Sequence, residues 1–212
     1  MTDQPAGAAL TGGIALLERA INYALGSLHL VTPGALSRPT PCPDWDLGEL
    51  LDHMEDGLLA LQDAADFEEV DVDICGEPDG DPVARLRDRA GQLLGAWAGA
   101  GSRELVWIAG RPVTAAIVTS AGAIEIAVHG WDVARACGWH RPIPPSLAEE
   151  LLDLAPLLVA EADRPGRFGV PVEVPSGSPG DRLVGFLGRH PPGPAERRYL
   201  QTRAARMIAN GR

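Results

Sequence analysis

The chain has 212 residues, enough for one hydrophobic core, and its composition (45% hydrophobic, 22% charged) is typical of globular proteins. Its formal charge of −11 argues against a nucleic-acid or anionic-membrane partner, because either would require a basic surface. Three widely spaced cysteines, with no signal peptide and no apolar run of about 20 residues, predict a cytoplasmic protein.

Two helices are predicted in the first third of the chain. Apolar residues at helical spacing predict a first helix over residues 8–29, and Pro33 then ends the helical pattern. After a proline-rich loop, a second helix begins at Asp46. Asp46 is a good N-cap residue, and Glu49 follows three positions later, which is the spacing of a capping box. The apolar pattern continues to about residue 67.

An acidic loop over residues 68–81 precedes the third predicted helix, with Asp81 as its N-cap and Pro82 in its first position. Residues 105–108 (LVWI) are predicted to form a short extended segment. The longest predicted helix follows, and Gly138 is a plausible residue to end it.

The predicted long helix covers residues 113–137, and a fifth helix covers residues 146–161. Beyond it, residues 168–174 are strand-like, residues 181–187 can form one or two helical turns, and residues 195–208 form a last amphipathic helix. The sequence therefore predicts an all-α protein. Residues 1–165 would form an up-down four-helix bundle, and residues 166–212 a short irregular extension packed on it.

The long helix carries a carboxylate and an imidazole, Glu125 and His129, four residues apart. They differ by about 40° around the helix axis and so share one face. Glu125 lies among apolar residues, where an unpaired carboxylate is costly and requires a cation or a donor. A divalent ion held by His53, Glu125 and His129 would satisfy this requirement and leave coordination positions open.

Alternatives remain open for two of these residues. His53 lies in an apolar part of the second helix, and a buried histidine bonded to a backbone carbonyl is the simpler interpretation of it. Asp132, on the same face as Glu125, could orient a ligand or handle a proton. It could equally form a salt bridge with Arg135 or Arg111.

Two segments together resemble a known family. Residues 41–53 (PCPDWDLGELLDH) and 125–138 (EIAVHGWDVARACG) are similar to the DinB-like metal-binding superfamily. The closer resemblance is to the branch that contains mycothiol-dependent maleylpyruvate isomerase and uncharacterised metal-binding relatives. Residues 168–172 and 181–189 also look like that branch. The larger C-terminal domain of the isomerase is not evident here.

The resemblance implies a four-helix bundle with a metal held by His53, Glu125 and His129. Zinc suits this ligand set best, and nickel, iron or manganese could also bind it. Characterised relatives use the metal to activate a mycothiol-like thiol for S-transfer or isomerisation. Cys42 matches the motif, but a packing role is favoured over a nucleophilic one. Trp45 and Trp131 flank the ligand segments and could wall a pocket or pack in the core.

Three functions follow from these observations. The favoured one is a metal-dependent thiol S-transferase or isomerase that acts on a small electrophile, with Asp132 as its catalytic side chain. The second is a thiol-independent metal-assisted hydrolase, lyase or cyclase of a biosynthetic pathway. The third is a non-catalytic metal-binding protein. The expected partner is a small molecule rather than nucleic acid or a membrane, and the protein is expected to be a monomer or a homodimer.

Overall fold

The computed structural model describes residues 4–43, 45–66, 69–70, 80–99, 104–108, 110–164, 167–175 and 177–209. Within these ranges the chain is mostly helical. The helices are α1 (Gln4–Leu28), α2 (Leu47–Asp66), α3 (Pro82–Gly99), α4 (Ala115–Ala136), α5 (Pro145–Leu158), α6 (Pro179–Phe186) and α7 (Pro194–Ala209). The strands are β1 (Glu69–Val70), β2 (Leu105–Ile108) and β3 (Arg111–Thr114), and two 3-10 turns span Pro33–Ala35 and Glu161–Asp163.

The predicted N-terminal caps of α2 and α3 are confirmed. The Asp46 backbone N–H donates to Glu49 Oε2 at 2.9 Å, and the Glu49 N–H donates to Asp46 Oδ1 at 3.0 Å. At the start of α3 the Val83 N–H donates to Asp81 Oδ1 at 3.0 Å. These bonds satisfy N–H groups that have no partner within the helix, so each helix begins where its sequence specifies.

The core forms where α1 packs along α4 and where α2 packs against α3 and α4. Most of α4 is buried, including the residues on both sides of His129. Gly130 allows α1 and α4 to approach closely, because a Cβ atom there would lie 2.9 Å from Ala24 Cα. This close approach fixes α4 against α1 at the level of the His129 side chain.

We expect Gly130→Ala to lower the free energy of unfolding by about 1–3 kcal/mol, because the added methyl group meets backbone that cannot easily move. Gly91→Ala on α3 is the matched control, since a Cβ there meets nothing within 4 Å. That control should stabilise the protein by about 0.5–1 kcal/mol through helix propensity. Urea unfolding measures both effects, and similar changes in the two variants would contradict the close crossing.

A small sheet accompanies the helices, which the all-α prediction did not include. The extended segment predicted at residues 105–108 is confirmed as β2, with Val106 buried on its inner face. Strand β2 pairs antiparallel with β3, from Leu105 opposite Thr114 to Ile108 opposite Arg111, and parallel with β1. Most of the acidic loop predicted over residues 68–81 lies outside the described residues.

The strand predicted over residues 168–174 is wrong. This segment pairs with no strand in the described part of the chain, and its main-chain contact with α6 is the bond from the Val172 N–H to Gly185 O at 2.8 Å. Pro171 has no N–H to donate to a ladder, which disfavours regular pairing. The helical turns predicted after it are confirmed as α6, and the last helix is confirmed as α7.

No described helix combines the length and the apolar composition that a membrane span requires.

Candidate metal site

Three side chains from two helices converge at the edge of the core. His53 on α2 and Glu125 and His129 on α4 each offer one ligand atom, and these atoms lie within 4.8 Å of one another. The rings of His53 and His129 meet edge to face, with centroids 5.1 Å apart. His129 is buried, His53 is half-buried, and the Glu125 side chain is 24% exposed. The cluster therefore retains some access to solvent.

His53 is suited to act as a neutral nitrogen ligand. Burial, followed by the positive charge of His129, lowers the pKa of His53 to about 4, so its ring is neutral at pH 7. Among the described residues no backbone carbonyl accepts a hydrogen bond from this ring. The alternative interpretation of His53, a buried histidine satisfied by the main chain, therefore has no support in the described part of the chain.

His129 lies between two carboxylates. Its Nδ1 is 3.1 Å from Asp132 Oδ2, and its Nε2 is 3.4 Å from Glu125 Oε2. Burial by itself would lower the pKa of His129, but hydrogen bonds to Asp132, Cys42 and Glu125 outweigh it and hold the pKa well above its usual value. Without a metal the ring is therefore a cation. The Nδ1 bond to Asp132 also fixes the ring so that Nε2 faces Glu125.

Asp132 has Arg189 as its ion-pair partner, not Arg135 or Arg111 as the sequence suggested. Arg189 Nη2 lies 2.9 Å from Asp132 Oδ2, and both side chains are buried. Arg135 pairs instead with Glu196 on α7, and Arg111 is exposed on β3. Burial would raise the pKa of Asp132, but the charge of Arg189 and the bond to His129 keep it low. Asp132 is thus an anion that orients His129.

Glu125 already has a counter-ion in the absence of a metal. Arg167 Nη2 lies 2.8 Å from Glu125 Oε1. Burial would raise the pKa of Glu125, but contacts with His129 and Arg167 lower it. The expectation that this carboxylate requires a cation or a donor is therefore met by Arg167 and His129, so the requirement alone does not imply a metal. The metal hypothesis rests instead on the convergence of the three ligand atoms.

A second group of possible ligands, Cys42, His129 and Asp132, also lies within 4.8 Å. Here Arg189 already supplies the positive charge, because its Nη2 is 3.0 Å from Cys42 Sγ as well as close to Asp132. A buried guanidinium at that point repels a metal cation, so the set that contains His53 is the better candidate. These polar contacts also disfavour the interpretation of Cys42 as a simple packing residue.

Two glycines bring both arginines to the site. Gly169 and Gly188 pack backbone against backbone, and a Cβ on Gly188 would lie 2.4 Å from Gly169 Cα. Gly188 also has a φ of 85°, which favours glycine. Arg167 precedes this crossing by two residues and Arg189 follows it by one. The crossing therefore places Arg167 beside Glu125 and Arg189 beside Asp132, the two carboxylates of α4.

Trp45 covers one side of the candidate site. Its ring lies 4.4 Å from the His53 ring and 6.2 Å from the His129 ring, measured between centroids. Trp131, the other tryptophan that the sequence singled out, is buried in the core with Arg135 over its ring. Trp45 is therefore the tryptophan that contacts the cluster, while Trp131 has a packing role.

The two described cysteines should differ in reactivity. Cys137 is buried, and burial raises its pKa to about 11, whereas Cys42 is only half-buried. We expect iodoacetamide at pH 8 to modify Cys137 about tenfold or more slowly than Cys42, because the thiolate is the reactive form. Peptide mass spectrometry over time measures both rates. The unfolded protein is the control, in which the rates should converge; faster labelling of Cys137 in the folded protein would contradict the structure.

Comparison with known proteins finds relatives over most of the chain. Two uncharacterized proteins of Mycobacterium tuberculosis, MT0763 of strain CDC 1551 and Rv0738 of strain H37Rv, are each 28% identical to this chain over 179 residues. The alignments cover 81% of this chain and 94% of each relative. No solved structure gives a significant match.

The sequence profile of one family matches residues 17–134, which include His53, Glu125, His129 and Asp132. This range is more than half of the chain; it spans α2 and α3 completely and α4 up to residue 134. Members of this family bind metal and share the DinB-like fold. The chain therefore belongs to the family of the mycothiol maleylpyruvate isomerase N-terminal domain.

Proposed function

We propose that this protein is a metal-dependent enzyme that transfers or isomerises a small electrophile with the help of a mycothiol-like thiol. The observation that carries the proposal is the approach of His53, Glu125 and His129 to within 4.8 Å at a partly exposed edge of the core. Three ligands leave coordination positions for a thiol and a substrate, as in catalytic rather than structural metal sites. We propose a mycothiol-like thiol because the chain belongs to the family of the mycothiol maleylpyruvate isomerase N-terminal domain.

The proposed metal is zinc, because two imidazoles and one carboxylate form a common catalytic zinc set. When bound, zinc would lower the pKa of a coordinated thiol so that the thiolate forms near neutral pH. His53 would hold the ion from α2 and His129 from α4, and Glu125 would supply a negatively charged ligand. Trp45 would limit the access of water on one side of the site.

Asp132 is proposed to act through His129. It is fully buried and bonded to Nδ1 of His129, so it would keep that proton in place and leave Nε2 as the ligand atom. Such a carboxylate sets the orientation and basicity of the ligating ring. Between the two roles open to Asp132, orientation of a ligand fits its burial better than proton transfer to a substrate.

We further propose that α1 to α4 form the four-helix bundle of the family. In support, α1 packs along α4 and α2 packs against both α3 and α4. The metal ligands would then project from α2 and α4 at one place within the bundle, as in other bundles with metal centres. The segment that carries Arg167 and Arg189 would close this site from outside the bundle.

Thiol consumption tests the proposal. Zinc-loaded protein is incubated with mycothiol and a panel of small electrophiles, and loss of the free thiol is followed. We expect turnover with at least one electrophile, and we expect His53→Ala to abolish it. The matched control is His140→Ala, which removes a half-buried histidine that is outside the ligand cluster. Equal thiol loss with wild type and His53→Ala would count against the proposal, and turnover without thiol would favour a thiol-independent enzyme.

A further inference from the structure

The two oxygens of Glu125 have different partners. Oε1 accepts a hydrogen bond from Arg167 Nη2 at 2.8 Å, while Oε2 lies 3.4 Å from His129 Nε2. A carboxylate can bind a cation through one oxygen or through both. In this arrangement Oε2 faces the His129 imidazole, while a guanidinium occupies Oε1.

Arg167 is held for this contact from the loop that follows α5. Its backbone N–H donates to Asp163 O at 2.8 Å, and its Nη1 lies 3.8 Å from Asp163 Oδ1. The guanidinium also lies over the Phe168 ring, 5.7 Å from its centroid. Unlike the buried Arg189, the Arg167 side chain is 63% exposed, so its charge approaches Glu125 from the solvent side.

We propose that Arg167 is a positioning residue that keeps Glu125 a one-oxygen ligand by occupying Oε1 of its carboxylate. The inference rests on the proposed metal site of His53, Glu125 and His129. With Oε1 occupied, Glu125 takes one coordination position rather than two, and the other positions stay open for thiol and substrate. Arg167 thus contributes to an open site without contacting the metal.

The number of ligand atoms around the ion can be measured directly. Cobalt(II) substitutes for zinc in sites of this kind, and its visible absorption is strong at four-coordinate centres and weak at six-coordinate ones. For cobalt-loaded Arg167→Gln we expect a several-fold weaker visible band than for wild type, because the freed oxygen joins the coordination sphere. Arg167→Lys, which keeps a cationic donor, should restore much of the intensity. The band intensity is measured rather than the metal affinity, because Arg167→Gln has two opposing effects on affinity. Loss of the nearby positive charge strengthens metal binding, whereas a less firmly held carboxylate weakens it.

The matched control is Arg182→Gln, which removes an exposed arginine of α6 outside the ligand cluster and should leave the spectrum unchanged. An identical spectrum for wild type and Arg167→Gln would overturn the role of Arg167, as would a weak six-coordinate band in wild type. His53→Ala separates this result from the proposed function. If that variant binds cobalt with the wild-type spectrum, the metal site itself is wrong.

Discussion

The Asp132→Ala substitution is expected to destabilise the fold by about 3–5 kcal/mol, because it leaves a buried guanidinium without its counter-ion. Asp132 is completely buried and Arg189 is 5% exposed, so water cannot replace the lost carboxylate. The same substitution removes the acceptor for His129 Nδ1. Urea unfolding at neutral pH, followed by circular dichroism, measures the change.

Two controls separate this effect from ordinary loss of a salt bridge. Glu196→Ala breaks the exposed pair with Arg135 and should cost less than about 1 kcal/mol. The double variant Asp132→Ala with Arg189→Met removes both buried charges and should be less destabilised than Asp132→Ala alone. If Asp132→Ala were as mild as Glu196→Ala, the buried ion pair would not exist in solution.

Zinc binding at pH 7 is expected to release about one proton per ion, because a ligand must lose its proton before it binds a metal. The proton comes from His129, whose pKa without metal is held well above its usual value, whereas His53, with a pKa of about 4, is already neutral. Zinc affinity should therefore rise with pH through the neutral range and fall as the pH is lowered. Calorimetry in buffers of different ionisation enthalpy counts the released protons.

The controls for this measurement are again histidine variants. His53→Ala removes a ligand and should weaken zinc binding at least about tenfold. His140→Ala should bind zinc with the wild-type affinity and the same proton release. Zinc binding with no proton release at pH 7 would show that His129 is not a ligand, or that it is neutral before the ion arrives.

Local signals explain what could be predicted from the sequence. The cap formed by Asp46 and Glu49 needs only a four-residue pattern, and the structure has it. The juxtaposition of Glu125 and His129 follows from helical periodicity alone, because residues four apart share a face. The approach of His53 to this pair depends on helix packing, which the family resemblance supplied and periodicity did not.

The two arginines could not be predicted in the same way. Arg167 and Glu125 are 42 positions apart, and Arg189 and Asp132 are 57 apart. Their contacts depend on the backbone crossing of Gly169 and Gly188, which no local pattern specifies. The available signal was indirect: a carboxylate in a buried helix requires a cation, and Arg189 ends an apolar helical stretch.

Metal content shows whether His53, Glu125 and His129 hold one metal ion together, as we propose. The protein is purified without chelator or metal-affinity resin and loaded with zinc. After gel filtration it is analysed by elemental mass spectrometry beside folded His53→Ala and His129→Ala variants. The structure predicts about one zinc per wild-type chain and essentially none in either variant. Wild-type protein without zinc, or variants that retain the wild-type content, would contradict it.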